Sequence, residues 1–446
     1  MRPNFLYTAL NALAPLSALA APAQQPLSDT CGNLLDVSTN SPHCQAQYVQ
    51  ATRFNTSSIE ETMEILKYAQ AAGADVWSAT PDHVDIHFAS SQLPSQLSSF
   101  PQTSFSVEIP PPTPSPLRPP SPHRTPWDLE HLDSGFHSSY HRFEDIVEFI
   151  DELARTFPRL VELVRVGQTA EGREILGIKI EEPGNRKIRP RVVIQGAQHA
   201  RDWIAISAAL YFAHSLVVLP SEKGSHTTLL EDLAFTIIPV PNPDGYAYTW
   251  DHDRLWYKNR LYEPNAQCTG IDMNRNWGFQ WEESGDPCHH WYGGARPFEA
   301  PEVDALAAYI ERTPNIKMFI DLRSYGQMLM YPFSYSCDAL PAHAEDLIEA
   351  ALGAAKANKA VHGMTVATGS ACELLYPAPG NVIDWAYAEA GIPFSYSVSL
   401  RDTGTYGFLL PATYIRPVGE ENSALLHSLS RWFAKVKFSP LHAGSF

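Results

Sequence analysis

Apolar positions along the 446-residue chain fall into short runs whose period changes from segment to segment. Between Ser58 and Ala71 they recur at helical spacing. Ala74-Asp-Val-Trp-Ser and His83-Val-Asp-Ile-His-Phe88 instead alternate at period two, which predicts one helix and two strands. A small α+β unit fits residues 45–108, within a first domain placed at 21–108. Further on, Phe143 to Phe157 has helical periodicity, and Leu160–Val166 and Ile175–Ile180 read as strands around a turn at Glu171-Gly172. Val192–Gln195, Phe235–Val240 and Lys317–Leu322 are continuous apolar runs of buried-strand type, separated by helical segments such as Ile204–Leu216 and Pro301–Arg312. Strands buried on both faces need helices on both sides, so residues 135–437 are predicted to form a three-layer α/β/α domain.

Two stretches lie outside this pattern. Ile109 to Pro126 is so rich in proline that neither a helix nor a sheet ladder can form, and residues 109–134 are read as an extended linker. Met1-Arg2, the apolar run Phe5–Leu19 and Ala18-Leu19-Ala20 together read as a signal peptide over residues 1–20. No later apolar run approaches the roughly 18–20 residues of a membrane span, so no membrane anchor is expected after cleavage. Export to the extracellular space or to an acidic vacuole is the predicted destination.

Composition sharpens this picture. The chain has 32 basic and 49 acidic side chains, a formal charge of -17, which argues against a nucleic-acid or anionic-membrane partner. Six cysteines in an exported chain suggest disulfides, although six can pair in 15 ways and buried free thiols are the alternative. The pairing that closes the shortest loops is Cys31 with Cys44, Cys268 with Cys288 and Cys337 with Cys372. Asn55-Thr56-Ser57 is a glycosylation sequon. A monomer is expected.

Candidate chemistry begins at Gln198-His199-Ala200-Arg201-Asp202, where an imidazole and a carboxylate follow a predicted strand at a spacing that lets both face one cation. Two ligands are too few for catalytic zinc, which usually takes three from protein and one water. Taken alone, a hydrogen-bonded structural pair is the simpler reading.

Seven further blocks change that reading: Asn242-Pro-Asp-Gly-Tyr246, Arg254-Leu-Trp256, Asp272-Met-Asn-Arg-Asn-Trp277, Ser324-Tyr325, Tyr331-Pro332, Ile383-Asp-Trp385 and Leu400-Arg-Asp-Thr-Gly404. In this order and approximate spacing they resemble the A/B-type zinc metallocarboxypeptidases over most of residues 135–437. The resemblance implies a central mixed sheet and a zinc ion held by His, Glu and His. It also implies a glutamate that activates water and an arginine that polarises the scissile carbonyl. Residues 21–108 stand where that family carries its propeptide. Ala74-Asp-Val-Trp-Ser is similar to a segment of the fungal inactive metallocarboxypeptidase-like proteins implicated in cell-wall organisation.

Position by position, the chain departs from that pattern. His199 matches the first ligand, but Asp202 replaces the glutamate and Arg323 stands in the place of the second histidine. A guanidinium has no lone pair to offer and repels a cation, so zinc is expected to be weak or absent. Ser399 occupies the place of the general base and Tyr257 that of the electrophilic arginine. Such losses typically lower rates by about 10²–10⁴ and 10²–10³ respectively. Arg260 and Glu373 are the two side chains that could substitute for them. Asn274, Arg275 and Tyr376, which the resemblance assigns to gripping a peptide's C-terminal carboxylate, are intact, and Arg201 and Tyr325 match peptide-contacting positions. Ile383 falls where the family sets its side-chain preference and implies hydrophobic C-terminal residues.

The expected function is therefore a non-catalytic carboxypeptidase-like protein that binds peptide or protein C-termini. The alternatives are a weakly active zinc carboxypeptidase releasing hydrophobic residues and a serine hydrolase using Ser399, His199 and Asp202. Arg323 is further expected to fill the zinc position and pair with Asp202.

Overall fold

The first helix begins where its cap is encoded: Ser58 Oγ accepts from the Glu61 amide at 3.3 Å, while Glu61 accepts from the Ser57 amide at 2.7 Å. In this computed structural model, residues 47–88, 93–109, 127–184, 189–263 and 267–438 are described. The leader over 1–20, Cys31 with Cys44 and the proline-rich stretch 110–126 lie outside them.

The first domain contains β1 (Tyr48–Asn55), α1 (Ile59–Ala71), β2 (Asp75–Ala79), β3 (His83–His87) and β4 (Gln102–Glu108). Its strands form an antiparallel sheet in the order β2-β3-β1-β4. The predicted helix and both predicted strands are present. β1 and β4 escape the pattern because few of their residues are apolar; Val107 is the one buried residue of β4. Asn55 of the sequon is exposed at the end of β1.

The second domain runs through α2 (Phe143–Thr156), β5 (Val161–Gln168), β6 (Glu174–Ile180), β7 (Arg191–Gln195), α3 (Trp203–Ser215), β8 (Ala234–Ile238) and α4 (Pro243–Asp251). It continues with the short strands β9 (Tyr262–Glu263) and β10 (Cys268–Thr269), then α5 (Pro301–Arg312), β11 (Ile316–Arg323), β12 (Met328–Tyr331), α6 (Ala344–His362) and β13 (Ala367–Ser370). The last elements are α7 (Ala371–Leu374), α8 (Val382–Ala388), β14 (Phe394–Ser399) and α9 (Ile415–Phe438). Eight strands form one mixed sheet in the order β13-β12-β14-β11-β7-β8-β6-β5, with β14, β11, β7 and β8 parallel.

Alternation along the central strands builds the three layers. Val192, Ile194, Met318, Ile320 and Leu322 join a core with residues of α2, α3, α6 and α9, while Val193 and Phe319 join residues of α5 and α8 on the opposite face. The expected α/β/α architecture is thus present. Cys268–Cys288 and Cys337–Cys372 are bonded, with Cα separations of 5.3 and 5.1 Å. Among the described residues no helix is long and apolar enough to cross a membrane.

Topology also places the chemistry. His199 follows β7, Asn242 follows β8, and Arg323 and Ser399 are the last residues of β11 and β14. All four therefore gather at the carboxyl ends of the parallel strands, where open α/β sheets form their binding crevice.

Candidate active site

His199 is held from behind. Its Nε2 lies 3.1 Å from Asp272 Oδ1, and the same carboxylate accepts from the Asn274 amide at 2.9 Å and the Tyr257 hydroxyl at 3.2 Å. Burial raises the Asp272 carboxyl, but the His199 hydrogen bond, the Arg275 guanidinium and the Asn274 amide outweigh it and hold the group well below the usual range. Burial lowers the His199 pKa against the opposing pull of Asp272. A neutral imidazole that donates Nε2–H to Asp272 keeps its lone pair on Nδ1. The ring stacks on Tyr257 at 4.0 Å, and Tyr257 stacks on His290 at 4.4 Å.

Asp202 caps the start of α3 and is fully buried. Its Oδ2 accepts from the Ser324 amide at 3.2 Å, while Oδ1 has no partner among the described residues, and burial pushes the carboxyl up to about 7. The expected pair with Arg323 does not form. Arg323 Nε instead donates to Asp321, which also accepts from Gln195 at 2.8 Å and Gln198 at 3.1 Å. The reason is strand geometry: residues two apart share a face, so Asp321 already lies beside Arg323, and no reach across to α3 is needed. Arg323 Nη2 is buried without a partner.

These residues do not fit a zinc ion. A guanidinium stands at the third ligand position, and among the described residues no three His, Cys, Asp or Glu side chains converge. Ser399 lies beside Arg323 in the parallel register of β14 and β11 and is 6% exposed. Tyr257 directs its hydroxyl at Asp272.

Neither substitute reaches the site. Arg260 stacks its guanidinium 3.7 Å from the Tyr248 ring and 4.5 Å from the Trp256 ring, and Glu373 accepts from Ser370 Oγ at 3.0 Å at the start of α7. Ser399, His199 and Asp202 form no relay either. His199 is oriented by Asp272, and Asp202 accepts a backbone amide.

The carboxylate-gripping positions are assembled. Arg275 Nη2 donates to the Tyr376 hydroxyl at 2.9 Å, Tyr376 stacks on Trp291 at 5.6 Å, and Asn274 Oδ1 accepts from the Val382 amide at 3.1 Å. Asn274 Nδ2 is buried with no partner. Arg275, Tyr376 and Trp291 line a cavity of about 770 Å³ whose other wall is α1. Ile383 is fully buried in the core beneath and does not line this cavity.

Arg201 and Tyr325 face the first domain. Arg201 Nη1 lies 2.7 Å from both Asp75 oxygens, Nη2 donates to the Val76 carbonyl at 3.1 Å, and the guanidinium sits 4.0 Å from the Phe408 ring. The Tyr325 hydroxyl donates to Asp85 at 3.0 Å, and Asp85 is bound twice by Arg53 at 2.7 Å. Arg53 also donates to the Thr403 carbonyl at 3.1 Å, and a Cβ on the neighbouring Gly404 would lie 2.3 Å from its Nη2. Residues Val76–Ala79 roof a second cavity of about 100 Å³ over His199, Tyr257, Arg323 and Ser399.

Sequence reasoning assigned no role to Asp272, Asp321, Asp75, Asp85 or Trp291. Asp321 had a readable signal, its two-residue offset from Arg323 in a strand. Asp75 and Asp85 had none for their roles at the site, because their partners in the second domain are more than 120 residues away.

A mixed sheet of this order, with an Asp-oriented histidine just beyond the carboxyl end of β7, is the architecture of the carboxypeptidase class. Residues 146–425 match the zinc carboxypeptidase family, to which this chain belongs. The chain is 35% identical over 414 residues to the inactive metallocarboxypeptidase ECM14 of Ajellomyces capsulatus, a match that covers 83% of this chain and 69% of that protein. Its likeness to the protein of the same name from Blastomyces gilchristii is 35% over 420 residues, 84% of this chain and 71% of the relative. The crystal structure of thrombin activatable fibrinolysis inhibitor superposes with a TM-score of 0.75 at 28% identity, covering 87% of this chain and 99% of that one.

Proposed function

We propose that this chain is a catalytically inactive metallocarboxypeptidase-like protein that binds peptide C-termini. Inactivity has three independent chemical causes: Arg323 in place of a ligand, Ser399 in place of the base and Tyr257 in place of the electrophile. The names of the fungal relatives agree with it. Peptide binding rests on one observation. Arg275 and Tyr376 line an open cavity of about 770 Å³, and the adjoining Asn274 has a buried Nδ2 without a partner among the described residues. A guanidinium fork and an amide suit a carboxylate.

In this reading the first domain is a propeptide-like lid. Asp75 and Asp85 satisfy Arg201 and Tyr325, the two outer peptide-contacting positions, and leave the Arg275 cavity reachable. The leader over 1–20 supports export to the cell exterior or vacuole, the exposed Asn55 supports glycosylation, and the resemblance of Ala74–Ser78 supports a role in cell-wall organisation.

Titration of the full chain with a peptide ending in Phe, and with the same peptide amidated at its C-terminus, tests the reading. Saturable binding of the free acid, weakened at least tenfold by amidation or by Arg275→Gln, is expected. Equal binding of both peptides would refute carboxylate recognition. Chelator-sensitive release of a C-terminal Phe or Leu would refute inactivity.

A further inference from the structure

We propose that the position where this family holds a cation is, in this chain, a site for a small carboxylate, gripped by Arg323. The roofed cavity of about 100 Å³ is lined by the guanidiniums of Arg201 and Arg323, the His199 imidazole and the hydroxyl-bearing Ser324 and Ser399, and no Asp or Glu side chain lines it. Its local chemistry is therefore that of an anion receptor.

Hydrogen bonding points the same way. Arg323 Nη2, Arg201 Nε and Ser324 Oγ are buried without partners among the described residues, and each can donate. Asp202, whose Oδ1 has no partner among the described residues, does not line the cavity, and the two carboxylates that pair with its arginines are already committed. Asp321 accepts from two glutamines besides Arg323, and Asp75 is bound to Arg201. Buried donors on a cation are costly to leave unmade, and an external acceptor removes that penalty.

Size selects the ligand. At about 100 Å³ the space lies below the roughly 300–1,000 Å³ of pockets that take drug-sized ligands, which favours a small carboxylate. Trp77 and its neighbours in β2 line it on the side of the first domain and narrow it. Arg275 lines the other, larger cavity, which shares Trp291 and Tyr376 with this one, whereas Arg323 lines this one alone, so the two sites are told apart by their arginines.

Formate and acetate titrated into the full chain, read by calorimetry and by the melting temperature, test the proposal. A saturable site for both is expected, weakened at least tenfold in Arg323→Met and retained in Arg275→Met. Ser399→Glu should abolish it while leaving the protein folded, because the parallel register sets a Glu carboxylate beside Arg323, where it supplies the anion internally. If Arg323→Met does not fold, Ser399→Glu decides. Absence of saturable binding would overturn the proposal, as would a site that survives Ser399→Glu or one that disappears with Arg275→Met. Failure of the amidation test leaves this result untouched, since peptide binding follows Arg275 and formate binding follows Arg323.

Discussion

Asp75 of β2 places both carboxylate oxygens 2.7 Å from Nη1 of Arg201, a residue only 1% exposed at the mouth of the second domain. Burial raises the Asp75 carboxyl, but the charges of Arg201 and His290 and the Arg201 hydrogen bond win, and its pKa falls. One ion pair thus couples the lid to the site it covers.

Removing that pair should loosen the lid. Truncating one partner of a buried, hydrogen-bonded charge pair costs about 2–5 kcal/mol, much of it from the charge left behind. Asp75→Ala is therefore expected to lower stability by about that amount in guanidinium titrations. The first domain should also become more susceptible to limited proteolysis.

Restoring one ligand should not restore catalysis. Arg323→His removes the fixed cation and supplies a third donor beside His199 and Asp202, so zinc content by elemental analysis should rise towards one ion per chain. Peptide hydrolysis should stay undetectable, because Ser399 cannot deprotonate water and Tyr257 carries no charge.

The contribution of Asp384 to stability should fall as the pH rises from about 4 to about 7. Burial pushes the Asp384 carboxyl up to about 7, against the amides of Ser334 and Tyr335 that favour its charged form. An unfolded Asp titrates near about 4. Between these values the folded chain keeps a proton that the unfolded chain has released, so the contribution is full below about pH 4 and lost through about pH 7. Asp202 adds a contribution of the same sign. Denaturant midpoints of Asp384→Asn, followed across this window, should show a shallower decline than those of the parent.

Loss of the Cys337–Cys372 bridge should be felt at the peptide-end loop. The bond ties the start of α7, just before Tyr376, to the segment after β12 across a separation of 35 residues. Typical bridges contribute about 2–4 kcal/mol. A Cys337→Ser, Cys372→Ser double variant should lose stability in that range, and hydrogen exchange around Tyr376 should quicken.

The sequence by itself determined the elements with strong periodicity. These include α1, α2, α3 and α5 and the buried strands β7, β8 and β11. It also determined which chemistry is missing, since Arg323, Ser399 and Tyr257 cannot perform the roles of His, Glu and Arg wherever the chain puts them. Side-chain chemistry is local, and periodicity reports local burial.

Only the tertiary structure decided which groups became partners. Polar and short strands such as β1, β4 and β12 exist because neighbouring strands complete their ladders, a property no single segment carries. Arg323 chose Asp321 over Asp202 through the pleat of β11, and Arg201 met Asp75, 126 residues away in sequence, through the docking of the two domains. A buried charge takes whichever partner the fold brings within hydrogen-bonding distance, and sequence separation says nothing about that distance.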